Sequence, residues 1–139
     1  MISKQINTVI MKYLGIPYKF QGTSITDGLD CANLCTLVGK DLGVLIPNIN
    51  HSTHSEESYS VLFSVKDNKK LWKKVQPTAN TLAVFKINGV IKHVGYMIND
   101  FEFIHIMENS KVTVDTLDSI QWQRRLAGCY EYIGDTQEI

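Results

Sequence analysis

The chain has no excess of either charge: 14 lysines and arginines offset 14 aspartates and glutamates across 139 residues. A balanced chain exerts no long-range pull on nucleic acid or anionic lipid, so a polyanion partner would have to meet a local patch. No apolar run approaches the roughly 18 residues that span a bilayer. Met1 to Ile10 lack the basic-then-apolar order of a secretory leader. These absences predict a soluble chain made in the cytoplasm, with no nucleic-acid or membrane partner. Something other than a leader would have to bring it to an extracellular substrate. Cysteines are too few and odd in number for a disulfide framework: Cys31, Cys35 and Cys129. Each is a buried apolar thiol or a working one. Repeats, low-complexity tracts and linkers are also missing. Residues 1–139 therefore read as a single domain, and a hydrophobic content of 44% suffices for its core.

What is present divides into a helical first half and a strand-rich second half. Ser3 can cap a helix whose stripe is Ile6, Val9, Ile10 and Tyr13, with Gly15 and Pro17 ending it. A polar loop runs from Gln21 to Gly28. A second stripe follows, Cys31, Leu34, Cys35, Val38 and Leu42, stopped by Gly43 and Pro47, with Asp27 or Asp30 as its cap. Ser55 can cap a third, weaker helix carrying Tyr59, Leu62 and Phe63. After Pro77 strands are expected over Leu82–Ile87 and Val90–Ile98, joined by the hairpin signal Asn88-Gly89. Asn99-Asp100 turns the chain into a strand over Phe101–Met107. Val112 and Val114 suggest a fourth strand, and Tyr130–Ile133 a last one. Helices followed by a meander predict an α+β domain, with helices packed on an antiparallel sheet.

Cys31 falls on the first turn of the second helix. Unpaired N–H groups and the positive end of the helix dipole favour a thiolate there, and could bind an oxyanion. The competing reading is a buried thiol on the apolar stripe. Cys35, one turn on, and Cys129 read as core. A thiol nucleophile needs a base within reach, and the base needs an orienting partner. His51 and His54 lie in a polar loop, whereas His93 and His105 lie in apolar strands. A histidine in a buried strand is costly unless its nitrogens are satisfied, so the pair is either catalytic or structurally bonded. Register separates these. A two-residue turn at Asn99-Asp100 would oppose His93 to Ile106 and send His105 to the other face. An odd loop centred on Asn99 would oppose His93 to His105, and the catalytic reading predicts that loop or a bulge.

Three segments in this order and spacing resemble a known family: Leu14-Gly15-Ile16-Pro17-Tyr18-Lys19-Phe20-Gln21-Gly22, then Gly28-Leu29-Asp30-Cys31-Ala32-Asn33-Leu34, then His93-Val94-Gly95-Tyr96-Met97 with Phe103-Ile104-His105. They resemble the NlpC-type cell-wall cysteine peptidases, which are papain-like in fold. The resemblance implies Cys31 as nucleophile, His93 as general base and His105 as its orienting residue. It further implies Tyr18 beside the oxyanion and Asp30 at the substrate pocket. Members typically cut peptidoglycan stem peptides next to γ-D-glutamate, with no metal or organic cofactor. Gly43-Val44-Leu45-Ile46-Pro47 and the Trp122–Tyr132 segment, with Arg125, Gly128 and Tyr130, are similar to bacteriophage tail-associated members. That similarity implies phage tail proteins as partners and the virion tail as location. Ala32-Asn33 stands where the family usually has serine-glycine, and Asn80-Thr81 near its usual glycine-aspartate.

Other readings compete. Cys31, Cys35, His51 and His54 form a possible zinc set, but three residues separate the cysteines and two the histidines, a poor match to zinc spacing. A tail or assembly component could keep the fold as a scaffold. Acyl or amide transfer could use the same triad. Lys66, Lys69, Lys70, Lys73 and Lys74 read as a solvated face, or as a contact for an anionic polymer. Trp72 and Trp122 could each stack on sugar or anchor a segment to the core.

Overall fold

In the computed structural model, which describes residues 4–47 and 71–134, the first stripe winds into α1, Lys4–Tyr13. Its buried face is Val9, Ile10 and Tyr13. Ser3 lies outside the described residues, as do His51, His54, Lys66, Lys69, Lys70 and the helix expected from Ser55 through Tyr59, Leu62 and Phe63. The loop expected before the second helix contains a small ladder, β1 (Thr23–Ser24) against β2 (Gly28–Leu29). Helix α2, Cys31–Leu42, follows at once. Asp30, not Asp27, is its cap, accepting the Asn33 N–H at 2.8 Å. Gly43 ends it in a left-handed turn, φ 75°. The Tyr13 hydroxyl (2.6 Å) and Lys12 Nζ (2.9 Å) both donate to Asp41, tying α1 to α2.

The second half supplies β3 (Trp72–Val75), β4 (Leu82–Ile87), β5 (Val90–Met97), β6 (Glu102–His105), β7 (Thr113–Thr116), a short α3 (Ile120–Arg125) and β8 (Leu126–Tyr132). They form an antiparallel sheet in the order β3-β8-β4-β5-β6-β7. Asn88 and Gly89 both take positive φ, 53° and 81°, and join Ile87 to Val90 as the hairpin signal predicts. The sequence reading did not anticipate β3 or α3. It also drew β6 too long and started β8 too late.

Strand alternation gives the sheet two apolar faces. Leu34, Cys35 and Val38 of α2 cover one, against Val94, Tyr96 and Ile104. Ala83, Phe85, Met97, Phe103, Trp122 and Cys129 cluster on the other. Trp72 is buried edge-on to Tyr132, with ring centres 5.2 Å apart, while Lys73 and Lys74 face solvent. This tryptophan is an anchor, and these two lysines are a solvated face. The architecture is the expected α+β, papain-like arrangement. No helix among the described residues is long and apolar enough to cross a membrane.

Candidate active site

The start of α2 is held by the loop before it. Lys19 donates its N–H to Leu29, Leu29 to Pro17, and Asp30 to Gly22. The Asn33 side chain adds a bond from Nδ2 to the Gly22 carbonyl at 2.9 Å. Gly28 takes φ 131°, and a Cβ there would lie 2.9 Å from the Pro17 carbonyl oxygen. A glycine is therefore required for the chain to double back and deliver Cys31 at the helix end.

Cys31 is half-buried. Its sulfur meets backbone N–H groups of Val94, Ala32 and Cys31 itself, all of which favour the thiolate. Burial and the neighbouring Asp30 carboxylate outweigh them and push the thiol up to about 12. The helix end acts in the direction the sequence predicts, but it does not win. Desolvation likewise raises the buried Asp30 carboxyl to about 6, against N–H bonds from Asn33, Ala32 and Gln21. Asp30→Asn should keep the cap, since asparagine caps about as well as aspartate. It should also remove the opposing charge, so Cys31 should alkylate several-fold faster with iodoacetamide at a given pH. An unchanged rate, read by site-resolved mass spectrometry, would show that Asp30 does not hold the thiol protonated.

The two histidines come from the sheet. The β5–β6 ladder pairs Tyr96 with Ile104 and Met97 with Phe103. The connecting loop is odd, as the catalytic reading requires, but centred on Asp100 instead of Asn99. Asn99 Oδ1 accepts the N–H groups of both Phe101 and Glu102 at 2.8 Å, which builds the longer loop. Continued, this register sets Gly95 across from His105 and His93 diagonally beside it. A Cβ on Gly95 would lie 3.3 Å from His105 Cβ and 2.8 Å from Phe103 Cδ2, so the glycine leaves room for the rings to meet. His93 Nε2 and His105 Nδ1 are 2.8 Å apart. His105 Nε2 is 2.7 Å from Asp115 Oδ2 on β7.

Proton positions follow from the last contact. A carboxylate only accepts, so His105 Nε2 carries hydrogen and its Nδ1, when neutral, is a lone pair. His93 Nε2–H then donates to it, leaving His93 Nδ1 as an acceptor. Burial drives His93 well below the usual histidine range, reinforced by His105 and Arg125. Burial also lowers His105, although Asp115 pulls the other way. Both rings are neutral at neutral pH. Phe85, Phe103 and Trp122 wall them in, with Trp122 edge-on to His105 at 4.9 Å. Trp122 is 4% exposed, so it is a wall of this site and not a platform for sugar.

Tyr18 is half-buried against the same core as Cys31, and its N–H donates to the Ser110 carbonyl at 2.9 Å. It bridges Leu29 in parallel, two residues before Cys31. Among the described residues no hydrogen bond runs directly from Cys31 to His93. The thiol bonds to the N–H of Val94, the residue after His93. Asp115, bonded to His105, is not among the residues that the sequence singles out. Its signal was the alternation of Val112 and Val114, which face the helix side and so turn Asp115 toward the histidines. Cys35 and Cys129 are core, as expected. Among the described residues no group of three or more His, Cys, Asp or Glu is arranged to hold a metal ion.

The pattern of the NlpC/P60 family matches residues 15–131. The chain belongs to the NlpC/P60 family. It is 28% identical over 118 residues to the gamma-DL-glutamyl hydrolase of Bacillus subtilis (strain 168), a match covering 84% of this chain and 26% of that protein. This NlpC/P60 chain thus spans about a quarter of its curated relative. It superposes on an NLP/P60 protein of Staphylococcus aureus subsp. aureus Mu50, described as similar to lipoprotein, with TM-score 0.65 and 23% identity, covering 95% of this chain and 41% of that one. For the NlpC/p60 domain of the peptidoglycan hydrolase SagA the TM-score is 0.57 at 20% identity, covering 93% and 97% of the two chains. For the peptidoglycan hydrolase RipB of Mycobacterium tuberculosis it is 0.55 at 18%, covering 95% and 64%. Within this NlpC/P60 domain the two departures from the family pattern have local uses. Asn33 ties α2 to Gly22, and Asn80, at φ 69°, accepts the Tyr96 hydroxyl at 2.7 Å.

Proposed function

We propose that this domain is a cysteine peptidase that hydrolyses peptidoglycan stem peptides next to γ-D-glutamate, using Cys31, His93 and His105. The observation that carries the reading is the 2.8 Å contact between His93 Nε2 and His105 Nδ1, which engages one ring nitrogen of His93 and leaves Nδ1 for the thiol, whose sulfur meets the N–H of the next residue, Val94. Thiol and imidazole both rest neutral, so the proton passes from sulfur to Nδ1 as sulfur attacks the amide carbonyl. Hydrogen bonds of this kind are often long in a resting site and tighten around substrate. The Cys31 N–H and the Tyr18 hydroxyl would hold the oxyanion. His93 then protonates the leaving amine, and water, activated by the same nitrogen, hydrolyses the thioester. Asp30, one residue before the nucleophile, shapes the pocket wall.

The substrate class rests on the names of the relatives: SagA and RipB are peptidoglycan hydrolases, and the Bacillus subtilis protein is a gamma-DL-glutamyl hydrolase. Association with phage tail proteins is part of the proposal and rests on the Gly43–Pro47 and Trp122–Tyr132 segments alone. Tyr18→Phe should lower turnover by about 100- to 1,000-fold, the usual cost of one oxyanion donor, without abolishing it. A rate within a factor of about three of wild type would remove Tyr18 from the scheme.

The deciding experiment incubates the protein and Cys31→Ala with defined muropeptides and follows products by mass spectrometry. A product found with wild type alone establishes the peptidase and names the bond. No product from either, with Cys31 inert to iodoacetamide even at high pH, would favour the scaffold reading.

A further inference from the structure

We propose that Asp115 is a positioning residue that sets the direction of the hydrogen-bond chain through both histidines, so that His93 offers a bare Nδ1 to the thiol. The inference rests on the catalytic reading above and adds a residue to it. Two neutral imidazoles sharing one hydrogen bond can run it in either sense. With the proton on His93 Nε2, Nδ1 is a base. With the proton on His105 Nδ1, His93 must carry its hydrogen on Nδ1, and it then cannot take one from sulfur. Nothing in a histidine pair alone chooses between these states.

Asp115 chooses. His93, His105 and Asp115 lie on three neighbouring strands and face the same side of the sheet. Phe103 pairs directly with Asp115 and His105 with Thr113, so the carboxylate reaches His105 diagonally, as His105 reaches His93. The bond to His105 Nε2 is 2.7 Å, the His105 side chain is 1% exposed, and both its nitrogens are taken by protein. The carboxylate is 40% exposed on an edge strand, so its substitution removes little packing. The other charged group acting on the pair is Arg125 of α3, 5.0 Å above the Trp122 ring, and the titratable groups at the start of α2 are Cys31, on the N–H of Val94, and Asp30 beside it. Asp115, unlike these, is hydrogen-bonded to a histidine ring.

The test labels the histidines of the full chain with nitrogen-15 and reads ring shifts in wild type, Asp115→Ala, Asp115→Asn and Asp115→Glu. Turnover of a defined muropeptide is measured beside them across pH. Wild type should show hydrogen on Nε2 of both His93 and His105. Asp115→Ala and Asp115→Asn should populate the reversed pattern and lose about 10- to 100-fold in kcat, with KM nearly constant. Asp115→Glu should recover part of both. The pH profile of Asp115→Ala should lose height at its plateau, and its acid limb should move to lower pH, because the carboxylate that favours the protonated histidine pair is gone. A wild-type shift pattern in Asp115→Ala, or an undiminished kcat, overturns the inference. If Asp115→Ala does not fold, the isosteric asparagine variant decides alone. If wild type cleaves no muropeptide, the substrate assignment fails, and the shift pattern still decides the role of Asp115.

Discussion

Cys31→Ala and His93→Ala are each expected to cost at least about 10,000-fold in turnover, and the double variant no more than either alone. The reason lies in the resting charges. Burial and Asp30 keep the thiol protonated, up to about 12, while burial keeps His93 neutral. Neither group is a nucleophile or an imidazolium by itself, so each is useless without the other. In a preformed ion pair a lone thiolate would retain some reactivity after the histidine is lost. Here it would not. His93→Gln is the companion variant, since it can still bond His105 and fill the space. Single-turnover rates on a muropeptide measure all four proteins, and their circular dichroism checks the fold. Losses that multiply in the double variant would mean that Cys31 and His93 do not act as a unit.

Gly95→Ala is expected to be the most damaging single methyl in the sheet. The added carbon would sit 2.8 Å from a ring carbon of Phe103 and 3.3 Å from His105 Cβ. Phe103 is fully buried and packed against Phe85 at 4.9 Å, so its ring has nowhere to retreat. Overpacking of this kind typically costs about 1–3 kcal/mol. The relief available is a shift of His105, which would break the 2.8 Å bond to His93. We therefore expect a lowered urea midpoint together with a fall in kcat of about 100-fold, larger than the stability loss alone explains. Full activity in a destabilised Gly95→Ala would mean that the histidines tolerate displacement.

Much of this was legible in the sequence for identifiable reasons. The stripe from Cys31 to Leu42 and the alternation around Asn88-Gly89 are strong periodic signals, and both elements stand where they were expected. The small elements were not legible. β3 shows two lysines and two apolar residues over four positions, too short a pattern to separate from a charged surface run. α3 depends on a serine cap, Ser119, over a single buried residue, Trp122. At the site, parity could be argued but offset could not. The even spacing of His93 and His105 demanded an odd loop. Its centre was then set by the side chain of Asn99 bonding two successive N–H groups, which strand periodicity does not encode. Asp115 escaped for a related reason: a single aspartate beside valines looks like the solvent side of an edge strand until the neighbouring strand is placed. Sequence alone left open whether the thiol or the thiolate of Cys31 is favoured, because a helix end is visible in sequence, whereas the depth of burial is not.

The Asp30 carboxylate beside Cys31 has a consequence for how long the site survives. Peroxide and other oxidants attack the thiolate far faster than the thiol, and the products beyond sulfenic acid are not readily reversed. A cysteine held protonated by burial and, beyond that, by its helix cap offers oxidants almost none of the vulnerable form between turnovers. The residue that fastens the first turn of α2 would thus slow the chemical ageing of the sulfur it precedes.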